Sequence, residues 1–229
     1  MESQKQIQVL RRHLLDMSKL THRAVDYAIK GYRLGSPEFC RHVRKGDGRL
    51  GELRQKITDL CHKLIRQDSN FSSKGLIHPP AVDSQARFPR TALRICIALH
   101  AAYLAAEELA HHAMLRLENV QTSSSESLEK LCFLVNRLMC LCIIALFKNE
   151  SHYAETVLQN NELDRLFELV SRDLRSDIYE QRTMPIAIEQ SIANSLKKIA
   201  TQTQEIADAI VFWLEGTNCV VESGATATL

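Results

Sequence analysis

The sequence predicts an all-α fold of two tandem three-helix bundles, six long helices in all, and three observations carry that expectation. Glycine (8) and proline (5) are scarce among 229 residues, while 45% of the chain is apolar and 24% charged, a balance that suits long helices and starves a β-rich fold of turns. Apolar residues recur at steps of three and four in successive long stretches. Those stretches fall into two sets of three, in the same order and of similar length.

The first stretch runs from Ile7 through Leu10, Leu14, Met17, Thr21, Ala24 and Ala28 on one helical face, and Gly35 ends it. Ser36 and Pro37 then supply a cap and a first-turn proline for the second helix. Its stripe of Leu50, Leu53, Ile57, Cys61 and Leu64 follows an interruption at Gly46, Gly48 and Gly51, and it is expected to end near Gln67. Each interior glycine costs about 1 kcal/mol relative to alanine, so the helix should bend or open there. The Ser-, Gly- and Pro-rich stretch Asp68 to Pro80 reads as a long connection, and a third helix should run from about Pro89 to Glu118 through Leu93, Ile97, Leu104 and Leu115.

Val120 to Ser125 reads as the linker, after which the pattern recurs. One helix carries Leu128, Leu131, Val135, Leu138, Cys142 and Ala145; the next carries Tyr153, Val157, Leu163, Leu166, Val170, Leu174 and Ile178. The last carries Ile192, Ile199, Ile206, Ile210 and Trp213, with Pro185 in its first turn. Leu50, Leu53, Ile57 and Ile65 stand 113 residues before Leu163, Leu166, Val170 and Ile178, and Leu109–Glu118 overlies Ile206–Glu215 at an offset of 97. The domain reading is therefore 1–120, 121–217, and a small polar tail, 218–229, expected to be disordered.

Seven cysteines, Cys40, Cys61, Cys96, Cys132, Cys140, Cys142 and Cys219, lack paired C-x-x-C spacing. No signal peptide is read ahead of them, so they are expected to be reduced and mostly buried. The longest apolar run, Leu138 to Phe147, is short of the ~20 residues of a membrane span. A soluble, cytoplasmic protein is expected.

Charge is unevenly placed. Residues 1–120 hold 20 Lys and Arg against 12 Asp and Glu, a surplus of +8, while residues 121–229 hold 9 against 15, a deficit of −6. Such a split suits a basic half that meets an acidic partner, anionic headgroups or the acidic half of a second copy.

The interrupted second helix around Val43-Arg44-Lys45-Gly46-Asp47, the stretch Thr183-Met184-Pro185 and the ending Phe212-Trp213-Leu214-Glu215-Gly216 together resemble the PhoU family of phosphate-signalling regulators. The resemblance covers nearly the whole chain, and it implies that the two three-helix bundles pack about a pseudo-twofold axis. It implies a cytoplasmic, non-enzymatic regulator that restrains phosphate-starvation signalling. It also implies partners, a phosphate ABC transporter and a membrane sensor histidine kinase, with peripheral membrane association through them and a homodimer as one arrangement. Many members carry E-x-x-x-D on the third helix of each repeat, where two carboxylates one turn apart share a metal. The equivalent positions here are His100 and Leu104, then Lys197 and Thr201. Neither pair keeps the motif, and no multinuclear cluster is expected.

Other constellations are thinner. Glu107 with His111 and Glu108 with His112 are i, i+4 pairs beside His100 and Tyr103. Glu107, His111, Glu108 and His100 could thus offer one divalent ion a partial shell in the first repeat, the alternative reading being a metal store or oxidase. Glu108-x-x-His111 has di-iron spacing, but no second such motif lies on another helix. Gly46-Asp47-Gly48-Arg49-Leu50-Gly51 fits G-x-G-x-x-G without the preceding strand a dinucleotide site needs. Arg44, Lys45 and Arg49 are the expected partner-binding cations, among Arg41, Arg54, Lys56, Lys63 and Arg66. Nucleic acid is not expected, because no aromatic residues interleave this patch. No serine or cysteine sits in a recognisable nucleophilic setting, so no enzymatic activity is expected.

Overall fold

The computed structural model describes residues 2–72, 84–119, 125–178 and 183–216. Those residues form eight helices: α1 (Glu2–Arg33), α2 (Pro37–Arg44), α3 (Gly48–Ser72), α4 (Ser84–Asn119), α5 (Glu126–Lys148), α6 (Ser151–Leu158), α7 (Glu162–Ile178) and α8 (Thr183–Glu215). No strand occurs among the described residues. With α2 and α3 read as one interrupted helix, and α6 and α7 as another, the six expected helices appear in order. The expected tail, 218–229, and Cys219 lie outside the described residues, as does most of the linker.

Local chemistry accounts for the ends. α1 stops where Gly35 takes the left-handed backbone, φ 61, and the Ser36 N–H donates back to the Gly31 carbonyl at 3.1 Å. Pro37 opens α2 as expected, but Ser36 makes no side-chain capping hydrogen bond. α3 extends to Ser72, so residues 68–72 are helix rather than the start of a connection. α4 begins five residues before Pro89, which sits in its second turn and forfeits one intrahelical hydrogen bond. α5 ends at Asn149 in the left-handed region, φ 58.

The predicted stripes are the core except on α4, where Ile97 and Leu104 are exposed and the buried face is instead Ala92, Ile95, Leu99, Ala102, Ala106 and Leu109, about one residue out of the expected register. Leu10, Leu14, Met17, Thr21, Leu128, Leu131, Val135, Leu163, Val170, Ile192, Ile199 and Ile210 are all fully or almost fully buried. The 113-residue register holds in burial too: Leu50 with Leu163, Ile57 with Val170 and Cys61 with Leu174 are buried pairs. Five of the cysteines are buried as expected and Cys140 is partly exposed. Cys142 faces the core, its thiol donating to the Thr203 carbonyl at 3.3 Å.

The two bundles meet chiefly along α4 and α8, which run antiparallel. Phe88 packs on Trp213 with ring centroids 4.7 Å apart, Arg94 pairs with Asp208 at 2.9 Å, Lys198 with Glu108 at 2.6 Å and Arg116 with Glu189 at 3.3 Å. A second seam joins α1 to α5, where the Arg33 guanidinium lies 3.6 Å from the centre of the Phe133 ring. Arg11 donates to the Asn149 side chain and to the Phe147 carbonyl at the C-terminal end of α5, where helix carbonyls favour a cation. By length and composition α5 could cross a membrane, yet half of its most apolar window is buried within the protein, the pattern of a core helix.

Candidate functional site

The interruption of the second helix builds the most elaborate polar site in the first repeat. α2 ends with the Lys45 N–H bonded to the Arg41 carbonyl at 2.9 Å and the Gly46 N–H to the Val43 carbonyl at 2.9 Å. Gly46 then turns the chain at φ 73, a conformation that costs a residue with a Cβ about 1–2 kcal/mol. Asp47 caps α3: its Oδ1 accepts the Arg49 backbone N–H at 3.1 Å. Of the three glycines expected to break the helix, only Gly46 does so; Gly48 and Gly51 lie within the first turn of α3, facing open space.

Asp47 also gathers the surrounding charge. Its carboxylate accepts the Arg49 guanidinium through Nε at 3.0 Å and Nη2 at 2.7 Å, and Arg23 from α1 through Nη2 at 3.2 Å. The hydrogen-bonded Arg49 guanidinium, helped by Arg23, holds the Asp47 carboxyl below its usual range. From α4, the Tyr103 hydroxyl accepts the Asp47 backbone N–H at 3.0 Å, and burial pushes its phenol up. A pocket of about 320 Å³ opens here, lined by Arg23, Tyr27, His42, Lys45, Arg49 and Tyr103 among others. Tyr27 packs edge-on to His42 with ring centres 5.1 Å apart.

The cations expected to meet a partner thus divide into two kinds. Arg44 and Lys45 are exposed and make no ion pair among the described residues, whereas Arg49 is bound to Asp47. Arg23, Tyr27 and Asp47 were not among the residues expected to bind a partner or a metal. An aspartate directly before a resuming helix, with a donor N–H two residues on, is a capping pattern that would have found Asp47.

The Glu/His residues of α4 separate. His100 stands against Arg54 of α3 at 3.4 Å, and burial, then Arg54, pushes its imidazole down. Glu107 approaches Gly46 and is pushed up by burial, Glu108 is paired to Lys198 of α8, and His111 is exposed beside His112. Among the described residues no three His, Cys, Asp or Glu side chains are grouped so as to hold a metal. At two of the positions that the resemblance sets against the E-x-x-x-D motif, Leu104 is exposed and Lys197 lies 5.8 Å from the Phe167 ring centre.

The second repeat breaks at the equivalent place. α6 ends at Leu158 and α7 starts at Glu162, and Asn160 Oδ1 accepts the Leu163 N–H at 3.1 Å. Asn160 stands 113 residues after Asp47, the register of the core stripes. That second interruption was not anticipated, since neither glycine nor proline marks it.

The architecture as a whole matches known structures. PhoU from Pseudomonas aeruginosa superposes with a TM-score of 0.81 at 18% identity, covering 93% of this chain and 99% of that one. The chain has the PhoU fold. The phosphate transport system regulatory protein PhoU from Streptococcus pneumoniae gives a TM-score of 0.79 at 16% identity, over 94% of this chain and 98% of its own. By sequence, no family model and no curated protein matches the chain. The PhoU fold is therefore shared at a sequence identity of only 16–18%.

Proposed function

We propose that this chain is a non-enzymatic regulator of phosphate uptake and of the response to phosphate starvation, acting by contact with protein partners. The observation that carries this reading is the near-complete superposition on two PhoU proteins, one of which is described as a phosphate transport system regulatory protein. Its partners are then a phosphate ABC transporter and a membrane sensor histidine kinase, met in the cytoplasm. The two repeats, 1–120 and 121–217, act as oppositely charged halves of one adaptor. The α2–α3 turn presents the basic half, with Arg44 and Lys45 as its uncommitted cations and Arg49 held to Asp47.

Co-purification from cells grown in high and in low phosphate tests this. The expected result is capture of transporter or kinase subunits in a phosphate-dependent ratio, reduced by Arg44→Glu with Lys45→Glu at unchanged thermal stability. Capture of neither partner in either condition would remove the regulatory reading; capture insensitive to those two reversals would move the interface elsewhere on the fold.

A further inference from the structure

The α2–α3 turn holds more chemistry than an interrupted helix requires. A break needs a residue that accepts the turn and a cap for the helix that follows, and the second repeat provides its cap with Asn160 alone. At the register of 113, Lys45 corresponds to Leu158 and Arg49 to Glu162; at 97, Tyr103 corresponds to Ala200. The cations and the phenol are thus additions peculiar to one of two related breaks, and they converge on one pocket.

Within that pocket Arg23, Lys45 and Arg49 face the Asp47 carboxylate, with the Glu107 carboxylate beside Gly46 at its edge, which leaves a surplus of positive charge among the Arg, Lys, Asp and Glu side chains. Asp47 engages Nη2 of Arg23 and Nε and Nη2 of Arg49, which fixes both guanidiniums and leaves the Nη1 edge of each outside those contacts. Lys45 makes no ion pair. Tyr103 uses its oxygen as an acceptor from Asp47 N–H, so its O–H remains a donor. Donors therefore dominate the polar lining, and the volume of about 320 Å³ equals that of roughly ten water molecules at ~30 Å³ each. An acceptor-rich tetrahedral oxyanion meets these demands, whereas a cation would meet three like charges.

We propose that the pocket between α1, the α2–α3 turn and α4 binds a phosphate-type oxyanion through Arg23, Lys45 and Arg49. The proposal takes from the regulatory reading only that this turn is a functional surface. Isothermal titration of the purified full chain with inorganic phosphate, pyrophosphate and sulfate tests it, alongside flotation with vesicles bearing phosphoinositide headgroups. Saturable binding of one anion per chain is expected, weakened roughly tenfold or more by Lys45→Gln, since a charge-assisted hydrogen bond contributes ~1.5–3 kcal/mol. Lys63→Gln with Arg66→Gln, which alters α3 away from the pocket, should leave affinity unchanged. Because Lys45 is exposed and bonds to no side chain, its variant should melt like the parent, and the melt is the control for folding.

Binding of free anions assigns the site to a small solute; Lys45-dependent vesicle binding without it assigns the oxyanion to a lipid headgroup. Lys45-independent binding, equal loss in the Lys63/Arg66 control, or no binding in either arm overturns the site. The titration contains no partner protein, so its outcome stands whether or not a transporter or kinase is captured.

Discussion

Asp47 and Asn160 perform the same task in the two halves of the molecule: each lends a side-chain oxygen to a backbone N–H of the helix that resumes after a break, Arg49 in one case and Leu163 in the other, both at 3.1 Å. Losing such a cap costs ~1 kcal/mol, within a range of about 0.5–2. Asn160→Ala should lower stability by about that amount. Asp47→Ala should cost at least as much, since it also releases two guanidiniums, and Asp47→Asn should recover the capping part. Denaturant midpoints for the three variants check the ordering.

Gly46 and Gly51, five residues apart, behave oppositely in the structure. Gly46→Ala forces a Cβ into the left-handed region, with its nearest neighbour, Glu107 Oε1, still 3.8 Å away; the expected loss is backbone strain of about 1–2 kcal/mol. Gly51→Ala meets nothing within 4 Å inside α3 and should stabilise by about 0.5–1 kcal/mol. Equal effects at both positions in urea unfolding would contradict the placement of the break.

Arg116 and Glu189 are cross-linked between the repeats with side chains only 9% and 11% exposed, and the Arg116 guanidinium also lies 5.3 Å from the centre of the Tyr32 ring. Removing one partner of a buried pair costs about 3–5 kcal/mol, whereas an apolar replacement of both is often neutral. Glu189→Ala should therefore destabilise strongly, and Arg116→Met with Glu189→Leu should recover most of the loss. A double-mutant cycle by thermal unfolding decides it.

Burial pushes His13, His22, His100 and His112 below the usual imidazole value. At His22, Asp26 and Asn136 oppose that shift while Lys30 adds to it. A base with a depressed folded-state value takes up its proton more readily when unfolded. Its contribution is thus complete above the unfolded value of about 6.5 and is lost as pH falls through that value towards the folded one. Tm should decline between pH 7.5 and 5.5, and His22→Asn should flatten that decline. A Tm that rises on acidification across this window would refute the assignment.

Much of the fold was legible because the signals were local. Stripes such as Leu10, Leu14 and Met17, the stop at Gly35 and the turn at Gly46 each follow from helical spacing or backbone freedom. The second break was not, because Gln159–Asn161 contains ordinary residues and is opened by a cap and by packing rather than by a breaker. The site was harder still. Sequence proximity suggested that Glu107, Glu108, His100 and His111 belong together, but residues on one helix diverge around its circumference, and tertiary partners claim two of them: Arg54 for His100 and Lys198 for Glu108. Asp47 was hidden for the converse reason, since its neighbours Arg23 and Tyr103 arrive from distant parts of the chain.

The antiparallel pair α4 and α8 has a mechanical consequence. A hinge requires a few residues able to absorb a large backbone change, but these helices are 36 and 33 residues long and are tied to each other at Phe88–Trp213, Arg94–Asp208, Glu108–Lys198 and Arg116–Glu189. Bending the pair would strain several of these ties together. The pair therefore forms a stiff beam about 50 Å long at 1.5 Å per residue: a force applied to one repeat would displace the other bodily rather than rearrange either of them.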